Sequence, residues 1–475
     1  MFVGRVVLVS VAASSMALFV GCPGRTGEGE GEGEGEGEGE GEGEGEGEGE
    51  GESLAYTFES RFDAGVDSVQ YTGQAGRHLL LQELKAQIGR TDDVFIDGKT
   101  KQQLVDRFTF LFDFSVANGG TAEEPVTVAA FGTPLLQTEI GQVSVASLRD
   151  KTRDIDLADP TGVVGWGDGT LTASEVAEEL ISALADTMIA RQTAIPQTPA
   201  SVNITQTFVS AAGVDYQQLL EKFLLGAVAF SQNCDDYTDD ETANKGLLSD
   251  NIVQVADKPY TELEHAWDEG FGYFGAARLY GERSVGENVG GFVDDNADTK
   301  ADWLSEVNYG HARTAAVRDD SSATNTTFGQ SAFRAYVAGR GLISAADGAL
   351  DEAQLTQLKL HRDAAEQNWE KALAATAVTY VNGILAELTA APEAYSFTNH
   401  TKLWSELKGV LLALQFNPRS PMHTGTRLVD AHNLVGGDAP VIAAADFADA
   451  ASDLEDLKDL LQTAYGFADA DLAVW

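Results

Sequence analysis

Apolar residues recur at helical intervals along most of the chain after residue 70. In the segment 73–88 they fall on one helix face, because each residue advances about 100° around the axis: Leu80, Leu81, Leu84 and Ile88. The same spacing predicts further helices at 172–188, 216–230, 260–274, 299–317, 328–343, 352–388, 400–414 and 443–464. Proline is confined to the gaps between these segments, as expected for helices.

Alternation typical of β-strands appears only in short patches, at 127–131 and 141–145. Thr172 and Glu175 have the spacing of a capping box, which predicts a helix start there. The segment 352–388 predicts one long helix or two helices with a kink. We therefore expect an all-α domain of two packed helical bundles, with minor irregular or β excursions.

The first 21 residues have the pattern of an export signal. Arg5 precedes an apolar run that is short for a membrane span and ends at Gly21-Cys22. Residues 18–22 resemble a bacterial lipobox, in which the cysteine is acylated and becomes the new N-terminus. We predict a signal peptide at 1–21, a mature chain that starts with 22–26, and membrane association through a lipid on Cys22. The alternative is an ordinary signal with an incidental cysteine.

Residues 27–52 form a strict Gly-Glu alternation. The segment has no apolar side chain to bury and its glutamates repel each other, so we predict a disordered, extended spacer. A spacer directly behind a lipid anchor would hold the helical domain, 53–475, away from the membrane. The expected location is the cell envelope. The sequence does not decide whether the domain lies on the periplasmic side of the membrane or on the cell surface.

The net charge is strongly negative even without the spacer. Removing the 13 spacer glutamates, Arg5 and Arg25 from the whole-chain value of −44 leaves −33 for the helical domain. Such a domain repels nucleic acid and anionic lipid, so both are excluded as partners. The acidity suits solubility or the attraction of cations. After Cys22 only Cys234 remains, which excludes an intrachain disulfide.

The densest candidate chemistry lies in the predicted helix 260–274. Glu262, His265 and Glu269 fall within about 60° of each other on a helix, and Asp268 lies on the edge of the same face. One imidazole with several carboxylates suits a divalent metal such as iron, zinc or manganese. Five downstream side chains are available as further donors: His311, His361, Glu370, His400 and Glu406. Of these, His361, His400 and Glu406 are the candidate outer donors. The alternative is a hydrogen-bonded network that only fixes helix packing.

Several segments resemble, in the same order, an uncharacterised bacterial lipoprotein family known as domain of unknown function 4856. The quoted stretches are 56–58, 71–77, 260–275, 338–343, 369–371, 404–409 and 415–418. That family is more distantly similar to the imelysin-like proteins, whose resemblance implies a helical envelope protein associated with iron acquisition. Their motif is G-x-H-x-x-E, in which His265 takes the histidine position, Asp268 the acidic position, and Leu263 replaces the glycine.

Together these observations lead us to expect a non-enzymatic, lipid-anchored protein that binds a metal or a metal-bearing ligand through Glu262, His265, Asp268 and Glu269. Two alternatives stay open. One is a metal-dependent peptidase with Glu269 or Asp268 as the base, although the zinc-peptidase spacing H-E-x-x-H is absent. The other is a structural or interaction scaffold that has no ligand.

Overall fold

The computed structural model describes residues 54–153, 162–346 and 348–475. The predicted signal peptide at 1–21, the residues 22–26 with the acylated Cys22, and the spacer at 27–52 lie outside the described residues. All three therefore stay predictions. Ser53–Trp475 forms one compact unit.

The helical domain contains fourteen α-helices within the described ranges, which confirms the predicted all-α class. In chain order they are α1 (Thr72–Gly89), α2 (Asp93–Ile96), α3 (Lys101–Phe112), α4 (Ala173–Arg191), α5 (Tyr216–Leu224), α6 (Glu262–Phe274), α7 (Val285–Gly290), α8 (Gly310–Ser321), α9 (Phe328–Ala345), α10 (Glu352–Leu388), α11 (Phe397–Ala413), α12 (Arg427–Leu434), α13 (Phe447–Tyr465) and α14 (Asp469–Leu472). The described part of the chain holds no sheet, only isolated bridges such as Glu59 with Asp67.

Side-chain caps fix where several helices begin. The predicted capping box of α4 forms, with the Thr172 side chain accepting from the Glu175 backbone N–H and Glu175 reaching back. Asp351 and Gln354 form the same reciprocal pair at the start of α10. This helix continues without interruption over 37 residues, so the single long helix is the correct alternative for 352–388.

The predicted helix at 299–317 begins late, at Gly310. Upstream of it, acidic side chains occupy the backbone donors that a helix would use for itself. Asp302 accepts from the backbone N–H of Leu304, and Glu306 accepts from that of Asp302. Five helices were not predicted: α2, α3, α7, α12 and α14. All of these except α3 have eight residues or fewer, whereas α3 has apolar residues at helical spacing and was missed nonetheless.

Two stretches after α5 wind more loosely than an α-helix. Leu225–Phe230 and Asn233–Tyr237 are π-helices, a form that is rare and often marks a functional site. Both pack against α6. The second stretch also supports the cleft described below.

The central element of the fold is α10, which packs against α8, α9, α11 and α13. The largest hydrophobic cluster contains residues from Tyr56 to Trp475, so the helices predicted as two bundles share one continuous core. Burial on this scale stabilises a chain of this size without disulfides. Among the residues with a described structure, no helix combines the length and the apolar character that a membrane crossing requires.

Candidate functional site

The helix α6 carries all four predicted metal ligands. Thr261 caps its N-terminus in a capping box with Glu264, and Gly275 ends it in the left-handed conformation, with φ of 81°. The helix lies between α1 and α9. One face of α6 is therefore sealed inside the domain, and the position of each acidic residue relative to that face decides what the residue can do.

A buried ion-pair network occupies the inner face of α6. Arg340 on α9 donates from Nε to Asp268 Oδ1 at 2.9 Å and from Nη1 to Glu264 Oε1 at 3.0 Å. All three side chains are fully buried. Tyr56 donates its hydroxyl to Asp268 Oδ1 at 2.8 Å, and the backbone N–H of Gln70 donates to Oδ2 at 3.2 Å. The network joins α6, α9 and the N-terminal segment, and leaves neither carboxylate without partners.

The sequence predicted Asp268 as a metal ligand, but the structure places its side chain in this buried network. Burial raises the pKa of this carboxyl, and Arg340 partly opposes that shift. Because the carboxylate oxygens already accept from an arginine, a tyrosine and the backbone, Asp268 is not free to coordinate a cation beside His265. This arrangement matches the alternative in which carboxylates on this helix fix helix packing.

His265 and Glu269 do lie together, on the outer side of α6. Their side chains are 27% and 21% exposed, and His265 Nε2 is 3.7 Å from Glu269 Oε2. The imidazole stacks on Tyr260 with ring centroids 4.6 Å apart. Its Nδ1 is buried and has no hydrogen-bond partner in the described ranges. Glu262 lies near the start of the same helix and is exposed. Two of the four predicted ligands are thus adjacent.

The predicted outer donors do not complete this pair. His361 is next to Gln357 on α10, with the two side-chain nitrogens 3.3 Å apart. His400 is buried and faces the Tyr395 hydroxyl at 3.1 Å from Nδ1. Glu406 is buried on α11. It lies close enough to Lys222 to contribute to the raised pKa of that lysine, which burial opposes and which is due mainly to Glu221. Within 54–153, 162–346 and 348–475, no three His, Cys, Asp or Glu side chains are grouped so that they could hold a metal ion. The donors present therefore do not fit a resident metal, and metal binding stays a prediction.

A different place in the domain combines an open cavity with an unusual carboxyl. A cleft of about 280 Å³ lies between α10, the segment that follows α11, and the end of α13. We call it the α10–α13 cleft. Its lining residues are Asp363, Glu366, Gln367, Glu370, Lys371, Asn417, Arg419, Pro421, Ala464 and Tyr465. Clefts with a few convergent polar groups are where small molecules bind in proteins.

Glu370 is the most unusual group in this cleft. Its Oε1 accepts from the Ser420 hydroxyl at 2.5 Å and from the Tyr465 hydroxyl at 2.7 Å, and its Oε2 accepts from Asn417 Nδ2 at 2.6 Å. The residue is 2% exposed. Burial raises the pKa of its carboxyl to about 7, against the lowering effect of these hydrogen bonds. Among the described residues, no arginine, lysine or histidine forms an ion pair with it.

The neighbouring carboxylate on α10 is compensated. Arg419 donates from Nε to Glu366 Oε2 at 2.8 Å and from Nη2 to Oε1 at 2.8 Å, a bidentate pair. Thr238 donates its hydroxyl to Glu366 Oε1 at 2.7 Å. Arg419 Nη2 also donates to the carbonyl of Cys234, which belongs to the π-helix Asn233–Tyr237. The π-helix therefore helps to position Arg419, which lines the cleft.

The cleft was missed because its groups come from distant parts of the chain. Glu370 and Asn417 lie in stretches that the family resemblance had singled out, 369–371 and 415–418. Glu370 was named only as an available metal donor for the α6 site, and Asn417 was not named as a site residue. One signal was present. Glu366 and Glu370 are four residues apart on a helix whose middle is rich in alanine, so they share one face, and that face is buried.

A family model described as domain of unknown function (DUF4856) matches residues 195–433. The match contains α6, α9, α10 and α11, and so includes Arg340, Glu370 and Arg419. No curated protein and no solved structure matches the chain. The matched region covers half of the sequence and holds Arg340, Glu264 and Asp268 of the buried network and most of the cleft lining. On this match the chain belongs to the family with the domain of unknown function DUF4856.

Proposed function

We propose that this protein is a non-enzymatic, lipid-anchored binding protein of the cell envelope, and that it captures a small polar ligand in the α10–α13 cleft. The single observation that carries the proposal is Glu370, a buried carboxyl with no cationic partner in the described residues, lining an open cavity. Burying a carboxylate without a cationic partner lowers the stability of the folded protein. Such a group is therefore expected where it serves a function. Perturbed carboxyls in clefts are typical of functional sites.

The size of the cleft sets the size of the ligand. A volume of about 280 Å³ is near the lower end for small-molecule sites, so the ligand has the size of an amino acid, a short peptide or a monosaccharide. The lining offers ionic, amide and hydroxyl groups, which suit a polar molecule. We place no reaction here: Ser420 and Tyr465 donate their hydroxyls to Glu370, and we assign these two contacts to orienting the carboxylate for a ligand.

The N-terminal sequence supports the lipid anchor of the proposed function. Acylation of Cys22 would anchor the mature chain in a membrane, and the Gly-Glu spacer at 27–52 would hold the cleft in the aqueous compartment. The variant Cys22→Ser tests this part. We expect the parent protein in the membrane fraction and the variant in the soluble fraction; equal membrane association of both would contradict the anchor.

Ligand capture is tested by filling the cleft. Ala464 lines the cleft on α13, and Ala448 is exposed on the same helix, so Ala464→Trp blocks the site and Ala448→Trp is the matched control. The purified protein is screened by thermal unfolding against amino acids, short peptides, polyamines and monosaccharides at millimolar concentration. A ligand raises the melting temperature by mass action. We expect at least one to stabilise the parent and Ala448→Trp but not Ala464→Trp. Equal stabilisation of all three, or of none, would contradict the proposal.

A second candidate function rests on the outer face of α6. His265 and Glu269 are too few to hold a bare ion, but they are adjacent and partly exposed, so they can supply one or two ligands to a metal that arrives with its own chelator. This is the metal-bearing ligand proposed from the sequence. Calorimetry with ferric citrate tests it, using His265→Ala and the control His361→Ala, and zinc and manganese without a chelator serve as bare-ion controls that should not bind. Binding that only His265→Ala abolishes supports this function, and binding that neither variant changes contradicts it.

A further inference from the structure

The cleft contains charged groups of two kinds, compensated and uncompensated. Arg419 neutralises Glu366, and Arg362 donates from Nε to Asp363 at 2.7 Å. Within the described ranges, the lining charges that lack an opposite partner are therefore Glu370 and Lys371. One is an anion inside the cleft, and the other is a partly exposed cation at the next position of α10.

The hydrogen bonds of Glu370 leave room for one more donor. A carboxylate has about four acceptor positions, and three of them accept from Ser420, Tyr465 and Asn417. The position that remains is on Oε2, which accepts from Asn417 alone. All three present donors are neutral, so they orient the carboxylate without neutralising its charge. A cationic N–H donor from a ligand would complete both the hydrogen bonding and the charge.

We infer that the ligand of the cleft is a small zwitterion, an amino acid or a short peptide, whose ammonium group binds Glu370 and whose carboxylate lies toward Lys371. This inference rests on the proposed function and names its ligand class. Lys371 disfavours a molecule with a second cation at that end, so diamines fit less well than zwitterions. Arg419 adds a further cation to the lining, although its Nε and Nη2 already donate to Glu366.

The pairing couples binding to a proton. Because the pKa of Glu370 in the free protein is about 7, part of the population must lose a proton before an ammonium group can bind. Affinity therefore rises with pH up to about 7 and levels off above it, and is about tenfold weaker at pH 6 than at pH 8, since each unit below the pKa costs about one factor of ten.

Two of the groups that face Glu370, Tyr465 and Cys234, do not titrate in the same range. Burial raises the pKa of Tyr465 on α13 and of Cys234 on the π-helix well above their ordinary values, so both stay neutral between pH 6 and 8. Arg419 faces it from the segment after α11 and stays cationic, because Glu366 raises the pKa of its guanidinium against the effect of burial. Arg427 of α12 lies near Tyr465. On α10 itself, burial raises the pKa of Glu366, which Arg419 and Thr238 oppose by hydrogen bonding to its charged form. Because Glu366 is present in both the parent and Glu370→Gln, the comparison of these two proteins assigns the pH dependence to Glu370.

The test is calorimetry on the parent protein with a panel of amino acids and dialanine, each compared with its N-acetylated form, at pH 6 and pH 8. The variants are Glu370→Gln and, as the matched control, Glu352→Gln, which replaces an exposed glutamate of the same helix. Measurements in two buffers of different ionisation enthalpy count the protons released. We expect at least one zwitterion to bind, its acetylated form to bind at least tenfold more weakly, and the pH effect to vanish in Glu370→Gln alone.

The outcomes separate the two proposals. If a ligand stabilises the protein and Ala464→Trp blocks it, but acetylation and pH leave its affinity unchanged, the zwitterion inference is wrong and the proposed function stands. If no member of the panel binds the parent at either pH, the inference is likewise overturned, and the wider ligand screen then decides the function. The pH dependence of the parent needs no variant, so a folding defect in Glu370→Gln does not remove the test.

Discussion

The inner face of α6 and the α10–α13 cleft are built from the same kinds of group and differ in how their charges are balanced. In the first, Arg340 lies between Glu264 and Asp268, and all three side chains are sealed from solvent. In the second, Glu370 is equally buried but is held only by neutral donors beside an open cavity. In the first region, an arginine of the protein neutralises the buried carboxylates. In the second, the buried carboxylate of Glu370 has no cationic partner in the described residues and is available to a cationic group of a ligand.

This difference separates a structural network from a candidate binding site. A buried ion pair with complete hydrogen bonds fixes how helices pack but has nothing left to offer a ligand. A buried carboxyl without a cation raises the free energy of the free protein and lowers it again when a cation binds. The number of acidic residues on α6 is therefore a poorer guide to function than the fact that Glu370 on α10 has no cationic side chain paired with it in the described residues.

The largest effect is expected from breaking the network. Arg340→Met would leave Glu264 and Asp268 buried without their shared cation and should lower the free energy of unfolding by about 3–5 kcal/mol. Chemical denaturation followed by circular dichroism measures it. Arg334→Ala, on the exposed side of the same helix, is the control and should change stability by less than about 0.5 kcal/mol. If both changes lowered the free energy of unfolding equally, the network would contribute no more to stability than an exposed arginine does.

The uncompensated carboxyl gives stability a characteristic pH dependence. The folded-state pKa of Glu370 is raised from 4.5 to about 7, so the native state binds more protons than the unfolded state in that window. Stability from this group is therefore lost as pH rises from about 4.5 to 7, by on the order of 3 kcal/mol, since one pKa unit is worth about 1.4 kcal/mol.

Glu370→Gln should remove that loss. The difference in unfolding free energy between the variant and the parent, measured from pH 5 to pH 8, isolates Glu370 because other raised carboxyls contribute to both proteins. One of these is Asp215, whose pKa burial raises to about 7. A difference that stays constant across the pH range would mean that Glu370 titrates normally.

A smaller effect is expected from the packing between α6 and α9. A Cβ atom added at Gly339 would lie 2.1 Å from Trp267 Cζ2, whereas nothing lies within 4 Å of one added at Gly341. Trp267 is fully buried and donates to the Tyr336 carbonyl, so it cannot move easily. Gly339→Ala should destabilise the protein by about 1–3 kcal/mol. Gly341→Ala, in the same helix, should stabilise it by up to about 1 kcal/mol, and thermal unfolding measures both.

The helices could largely be predicted from the sequence, because apolar spacing and caps are local. The bounds of α10 and the cap of α4 follow directly from these signals. The segment 299–309 could not be predicted, since its acidic side chains bind the backbone in a pattern that periodicity does not reveal. Helix geometry also brought His265 and Glu269 together correctly. It put Asp268 at the edge of their face, whereas the structure places Asp268 in the buried network with Arg340.

The partners that decide each site come from far away in the chain. Arg340 is 72 residues from Asp268, and Tyr465 is 95 residues from Glu370. A sequence pattern can group residues on one helix but cannot show which of them another helix neutralises. For this reason the predicted pair His265 and Glu269 was found together, while the role of Asp268 and the importance of Glu370 needed the structure.

The most direct test of the account is an infrared titration of the Glu370 carboxyl, taken as the difference between the parent protein and Glu370→Gln. We predict a protonated-carboxyl band that disappears with a midpoint at about pH 7 in the free protein and at lower pH when a zwitterion is bound. A midpoint close to the ordinary value of 4.5, or one that no bound ligand shifts, would contradict it.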